Sequence, residues 1–346
     1  MKLSFPLFLK HQLTRQAPVV KADLKGKTVL VLGANAGIGF EATKHFATMN
    51  PGRLILACRS QSRGQEALET GSRYAEVKKE TGCSVAELWL VDLADFASVK
   101  AFADRFDKDG GRLDILVANA GVNPSKYEVT KDGWEAALQV NDLSTPLFSL
   151  LLLPHLLRTA SEHGVVPRLV VVGSEVHYWA EFPRRLLDSG EILRTLGSQQ
   201  FCTDKHSTHD DIVLNVLFVR ALNDHLPPST PLITNVVNPG LCSSELNRDL
   251  KGPGAVIFSL IIKLIGFTSE QGSRRLVHAA VGNPENPDSL RGQFLDECRV
   301  YEPSDWVISA EGRKAQELIW NELLQTLGQV DARVLDVAEK YLTRSA

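Results

Sequence analysis

Leu32-Gly33-Ala34-Asn35-Ala36-Gly37-Ile38-Gly39 is the stretch that decides how this chain folds. It follows an apolar run, residues 27–32, that reads as a β-strand, and it opens residues 37–49, which read as a helix. Each glycine has its own use in such a turn. Gly33 lets the chain reverse tightly. Gly37 lets the backbone come close to a pyrophosphate. Gly39 lets the helix pack near the strand, so that the helix N-terminus faces the negative charge. Three glycines alone would mark ordinary turns; their place between a strand and a helix is what points to a nucleotide phosphate. Asn35, Ala36 and Ile38 fill the turn and belong to the same candidate site.

The same rhythm continues outward from the turn. Residues 53–58, 85–91, 113–118, 168–172, 232–237 and 292–295 read as further strands. Residues 62–80, 95–107, 131–157, 212–226 and 311–327 read as helices. Strands alternating with helices imply parallel pairing through right-handed crossovers, hence an α/β doubly wound parallel sheet, the Rossmann fold. All of 1–346 is read as one domain, with an N-terminal arm 1–24, a core 25–300 and C-terminal helices 309–346. Residues 175–208 and 241–269 break the rhythm after the fifth and sixth strands. Inserted loops there are candidates for substrate walls or lids, because ligands of such sheets bind at the carboxyl ends of the strands.

Composition sets limits. Hydrophobic residues make up 44% and charged residues 23% of 346, the balance of a soluble globular protein with ample core. With 38 basic and 41 acidic side chains the net charge is −3, which gives no electrostatic case for nucleic acid. The five cysteines form no CxxC pair and no metal-ligand spacing, so no metal site is expected and a reducing, cytoplasmic compartment fits. The apolar run 3–9 is short, contains Pro6 and lacks a cleavage site, so no secretory signal is read. Residues 147–157 and 255–267 are too short to span a bilayer. Both read as buried helices. The first could instead be a homodimer face, and the second leaves surface contact with a membrane open.

Further segments end strands or lie in helices at telling places. Val91-Asp92-Leu93 ends the third strand and Asn119-Ala120-Gly121 the fourth; Val140-Asn141 lies in the long helix; Val172-Gly173-Ser174 ends the fifth strand and Asn238-Pro239-Gly240 the sixth. In that order, with the GxxxGxG turn, they make residues 20–330 resemble the short-chain dehydrogenase/reductase family. The likeness is closest to its extended, retinol-dehydrogenase-like and fungal secondary-metabolism branch, whose members carry phrases like MNPGRLILACRS, LNVLFVRAL and EGRKAQELIWNEL. The resemblance implies that Asp92 and Leu93 lie at the adenine. Asn119, Ala120 and Gly121 then form a turn at the cofactor, and Pro239 and Gly240 flank the nicotinamide. It also implies that Ser174 orients a substrate oxygen and that Asn141 supports a water relay. Leu32 departs from the family's usual threonine, a loop buttress, so cofactor binding is expected to survive.

Cofactor choice has a physical handle. An acid at the end of the second strand would accept hydrogen bonds from a ribose 2′-OH. Here the strand ends Ala57-Cys58-Arg59-Ser60, with no acid. The planar fork of Arg59 suits a 2′-phosphate, which favours NADP(H) over NAD(H). The plain alternative is a solvated surface arginine.

The family's proton donor is a tyrosine, followed four residues later by a lysine. Leu214-Asn215-Val216-Leu217-Phe218 fixes the register and puts Thr208 at the tyrosine and Ile212 at the lysine. A shift of seven residues gives Phe201 and Lys205 instead. Register does not matter to the conclusion, because no tyrosine lies between Tyr178 and Tyr301. Tyr74–Lys78 and Tyr127–Lys131 have the spacing but precede Ser174, and read as chance. Tyr178 could enter the pocket, without a lysine at the right distance. Lys205 and His209 are the candidate replacement acids, with His206, Asp210 and Asp211 beside them and His177 as a further candidate. A solvated polar run is the plain alternative. A positioned general acid is worth ~10²–10⁴ in rate, so carbonyl reduction should suffer more than cofactor binding. Three functions remain open. One is an NADP(H)-dependent reductase of a hydrophobic carbonyl, imine or enone in fungal-type secondary metabolism, with an altered proton donor. The others are a non-redox isomerase, cyclase or dehydratase on the same scaffold, and a binding protein without catalysis.

Overall fold

The computed structural model describes residues 3–59, 73–109, 111–180, 182–203, 212–244, 246 and 252–342. Eight strands form one sheet: β1 (Thr28–Leu32), β2 (Arg53–Cys58), β3 (Ala86–Leu90), β4 (Ile115–Ala118), β5 (Arg168–Val172), β6 (Ile233–Val237), β7 (Gln293–Asp296) and β8 (Arg299–Tyr301). Their order is β3-β2-β1-β4-β5-β6-β7-β8, parallel except for β8, which runs antiparallel to β7. The chain reverses its direction of winding between β1 and β4, and in such sheets the crevice at that switch point takes the ligand.

Successive strand residues face opposite sides, and both sides are covered. Leu30 and Leu32 of β1 join a core with Phe102, Leu147, Leu217 and Ile319. These come from helices α4 (Phe96–Asp109), α5 (Leu138–His163), α6 (Ile212–His225) and α9 (Ala310–Val330). Val29 and Val31 join a second core with Phe40, Phe46 and Leu276, from α2 (Gly37–Ala47) and α8 (Ser269–Val281). The doubly wound reading therefore holds. Among the described residues the other helices longer than five residues are α1 (Phe5–Leu13), α3 (Arg73–Thr81), α7 (Pro253–Ile265) and α10 (Arg333–Tyr341).

Several elements differ from expectation. The helix expected from residue 131 starts at Leu138, because Gly133 has φ +78° and Val129 bridges antiparallel to Glu135. An Asp132 carboxylate oxygen takes the N–H of Phe96 at 2.8 Å and the Gln139 amide at 2.7 Å, which closes this turn before the helix begins. The expected arm contains α1, with Pro6 in its first turn, where a missing N–H costs nothing. Part of the helix expected over 62–80 lies outside the described residues; the rest is α3. Residues 147–157 settle as core: α5 is long and apolar enough to cross a bilayer, yet most of that apolar stretch is buried inside the protein. Residues 255–267 do not form a buried helix. No described side chain of α7 is fully buried.

The N-terminal segment straps both inserted stretches. Gln12 Nε2 donates to Leu241 O and Ile265 O, each at 3.0 Å, and its Oε1 accepts from Leu241 N at 3.2 Å. Trp179 Nε1 donates to Leu3 O at 2.8 Å. The first insertion folds as short turns, Glu175–Tyr178, Arg184–Leu187, Ile192–Leu196 and Gln199–Thr203. Glu322 of α9 caps the third of these, accepting from Ile192 N at 2.8 Å and Leu193 N at 2.9 Å.

Candidate active site

Gly33 has φ +80°, and a Cβ there would sit 2.8 Å from Ala120 Cα. Its N–H donates to Ala57 O at 2.8 Å. Asn119 Nδ2 donates to Leu32 O at 3.3 Å and Gly33 O at 3.2 Å, so the end of β4 buttresses the glycine turn. A Cβ on Gly39 would collide with the Asn119 amide and Gly33 O. We expect Gly39→Ala to push α2 off β4, cost ~1–3 kcal/mol by overpacking, and weaken dinucleotide binding. Thermal melts with a cofactor titration check this; unchanged affinity would show that the turn is not used.

The turn fits a phosphate. Ala36 caps α2 without a side-chain hydrogen bond, and the first turn carries no acid. Its amide N–H groups and the positive end of the helix dipole are left for an anion. Asn35, Ala36, Gly37 and Ile38 are half-buried there. Arg59 is exposed directly after β2. Asp92 Oδ1 accepts from Ala94 N at 3.0 Å, and Leu93 O accepts from Ser144 Oγ at 2.6 Å, which pins the end of β3 to α5. The second insertion passes over the same turn: a Cβ on Gly37 would lie 3.6 Å from Ser244 Cβ. Gly240, φ +78°, lies against Phe267 of that insertion and Arg275: a Cβ there would approach the ring to 2.9 Å and the guanidinium to 3.1 Å.

α5 opens with a wide π turn, Leu138–Leu143, that presents Asn141. Such turns interrupt helices where a side chain must be re-aimed. Asn141 Oδ1 accepts from Val122 N at 2.9 Å and its Nδ2 donates to Val122 O at 3.0 Å. It thereby clamps the chain just after Gly121, where a Cβ would lie 3.3 Å from Asn141 Oδ1. Asn141 O accepts from Asn215 Nδ2 at 3.3 Å. Asn215 was legible only as a register marker; its burial within an apolar stretch of α6 was the signal that it has a polar partner. Ser174 caps the Glu175–Tyr178 turn, its Oγ accepting from Val176 N at 3.2 Å. That bond does not use the hydroxyl's own proton.

His177 and Tyr178 do not serve this site. The His177 ring is fully buried, with Nδ1 donating to Ser174 O at 2.7 Å and Nε2 accepting from Ser304 N at 3.3 Å. Burial lowers its pKa to about 4, so it is neutral. Tyr178 OH donates to Glu302 O at 2.6 Å, and burial raises its pKa. Both were sequence candidates; residues far along the chain claim them. Lys205, His209 and Thr208 lie outside the described residues.

A sequence profile for short chain dehydrogenase matches residues 27–178. The short chain dehydrogenase/reductase dmxR8 of Cryptosporiopsis sp. is 34% identical over 331 residues, covering 93% of this chain and 97% of that protein. This chain belongs to the short-chain dehydrogenase/reductase family. The short chain dehydrogenase sol3 of Alternaria solani is 36% identical over 274 residues, 79% of this chain and 90% of its own. Among solved structures, a short chain dehydrogenase from Burkholderia cenocepacia in complex with NADP superposes with a TM-score of 0.55 at 21% identity, over 79% of this chain and 97% of that one. That likeness is one of fold.

This short-chain dehydrogenase/reductase engages two further tyrosines away from Ser174 as well. Tyr127 OH donates to Gly197 O at 3.1 Å and Tyr301 OH to Glu297 Oε2 at 2.6 Å. Behind the Asn238-Pro239-Gly240 turn lies a buried polar network that the sequence did not reveal. Arg275, 1% exposed, pairs with Asp296, whose Oδ1 also accepts from Asn238 Nδ2 at 3.1 Å. Asn238 Oδ1 in turn accepts from Gly240 N at 3.0 Å. Glu175 is buried in this network; burial, then nearby Asp296, pushes its pKa up to about 7, against Arg275 and a hydrogen bond to Asn238.

Proposed function

We propose that this protein is an NADP(H)-dependent oxidoreductase. Its substrate is a hydrophobic small molecule of fungal-type secondary metabolism, in which it reduces a carbonyl, imine or enone. It works as a single domain in the cytoplasm, with a proton donor other than the family's tyrosine. One observation carries this reading. The glycine turn, the Asn141 clamp and the Ser174 cap are all built, while no tyrosine lies between Tyr178 and Tyr301 and Tyr178 is bonded to Glu302 O.

In this reading the amides at the start of α2 hold the pyrophosphate, Asp92 and Leu93 border the adenine, and Arg59 takes the 2′-phosphate through its fork. Asn119, Ala120 and Gly121 floor the cleft, and Pro239 and Gly240 set the nicotinamide side. When bound, the dinucleotide supplies the hydride. Ser174 donates its hydroxyl proton in a hydrogen bond to the accepting oxygen or nitrogen. Asn141 fixes Val122 and so the wall facing Ser174. Lys205 and His209 are the proposed proton sources near neutral pH. Reduction of an iminium would need neither, since hydride addition yields a neutral amine.

NADPH deuterated at C4, offered with a panel of apolar ketones, enones and cyclic imines, tests this. Deuterium is expected in the product. Turnover without label would select the non-redox isomerase, cyclase or dehydratase reading, which the missing tyrosine favours. No turnover together with no affinity for NADPH would remove the enzyme reading altogether.

A further inference from the structure

Two apolar helices meet on the surface. α7 exposes Val256, Ile257, Leu260, Ile261 and Leu264, the last at 79%. Spacings of one, four, five and eight residues put them on one helical face. α1 touches α7 and exposes Phe5 and Leu13, the latter at 70%. Gln12 locks the two together through Leu241 O and Ile265 O. A contiguous apolar surface of this kind marks an interaction site in a soluble protein.

Charge identifies what covers it. Residues 1–22 contain Lys2, Lys10, Arg15 and Lys21 and no acid; residues 250–269 contain Lys251 and Lys263 and no acid. This occurs in a chain whose net charge is −3. Lys10, Arg15 and Lys263 are exposed. A second copy of the chain would bring cation against cation. The two helices themselves carry Lys10 and Lys263 and no acid, and Glu270 beyond α7 is paired with Arg274. An apolar face with cations of this kind matches an anionic lipid surface. At ~1.5 Å per residue α7 is too short to cross the ~30 Å hydrocarbon core, so it would lie in the interface plane.

We infer that α1 and α7 together form a docking face for an anionic bilayer surface. The face sits beside the dinucleotide cleft, because the insertion that carries α7 passes Ser244 over Gly37. Apolar molecules dissolved in the membrane would then reach the cleft without crossing bulk water. Docking does not depend on the reaction proposed above, and its assay needs no turnover.

The test is cosedimentation of the full chain with vesicles of phosphatidylcholine, alone or mixed with phosphatidylserine. Binding is expected to the mixed vesicles, about tenfold or more above the neutral ones, and to fall with added salt as screening shortens the field. Ile257→Asp and Leu264→Asp should each weaken it about tenfold while leaving the melting temperature unchanged, since both side chains are exposed. Lys10→Glu with Lys263→Glu should remove the preference for phosphatidylserine. Absence of binding to either vesicle overturns the inference. So does a concentration-dependent dimer that Leu264→Asp dissolves, or binding to neutral vesicles that ignores the charge reversals.

Discussion

Arg59→Asp is expected to invert the cofactor preference. Arg59 stands exposed immediately after Cys58, at the carboxyl end of β2 and next to β1, whose following turn is proposed to take the phosphates. Its guanidinium offers a planar pair of donors to a 2′-phosphate; charge-assisted bonds of this sort are worth ~1.5–3 kcal/mol, or ~10–150-fold in affinity. Solvent exposure pulls the value toward the lower end. An aspartate removes that attraction, repels the phosphate, and accepts hydrogen bonds from the free 2′-OH of NADH. NADPH affinity should therefore fall by about tenfold to a hundredfold while NADH affinity rises. Fluorescence titrations of both chains with both cofactors measure this, and the NADPH preference of the wild type should shrink as salt is added. Equal affinity of the wild type for both cofactors, unaltered by the substitution, would leave Arg59 as an ordinary surface arginine.

How much of this was legible in the sequence depended on whether the partners were local. β2 runs over Arg53–Cys58 and β5 over Arg168–Val172, as their apolar, β-branched runs imply. The glycine turn was legible for the same reason: strand, turn and helix are contiguous. The start of α5 was not, because an isolated bridge, Val129 to Glu135, overrides a helical pattern only once the chain has folded. β8 spans three residues, Arg299–Tyr301, with no alternation long enough to read. Arg275 looks like a surface residue of an amphipathic helix, yet it is buried against Asp296, 21 positions away. His177 and Tyr178 follow Ser174 and invite a catalytic role; only Ser304 and Glu302, more than a hundred positions on, show that both are structural. Pairings at such separations leave no periodic trace.

The pH dependence of stability offers a sharper test of the buried network than activity does. His177 is held neutral, its pKa lowered by burial from the ordinary 6.5 to about 4, and its Nε2 is committed to accepting from Ser304 N. Above pH 6.5 both folded and unfolded chains carry it neutral, so its contribution is whole. Below that the unfolded chain takes up a proton that the folded chain refuses, and stability drains until about pH 4, by roughly 3 kcal/mol. Glu175 behaves in the opposite sense. Burial and the neighbouring Asp296 raise it from 4.5 to about 7. Its contribution is whole below pH 4.5 and drains as pH climbs to about 7, because only the unfolded chain releases the proton, again by roughly 3 kcal/mol. Across pH 4.5–6.5 the two slopes oppose each other, so together they leave the wild type nearly level. Glu175→Gln keeps an amide beside Asn238 and removes one slope, so only the His177 slope remains and the variant's own stability should rise by roughly 3 kcal/mol from pH 4 to 6.5. His177→Gln should show the reverse, a fall between pH 4.5 and 7. Urea midpoints at unchanged m, taken in steps of pH, measure both. If each variant tracked the wild type at every pH, neither group would be ionically perturbed. Glu175, half protonated at pH 7 with a pKa of about 7, would then be fully charged there, and Asn238 would have to hold Pro239 and Gly240 against two full carboxylates.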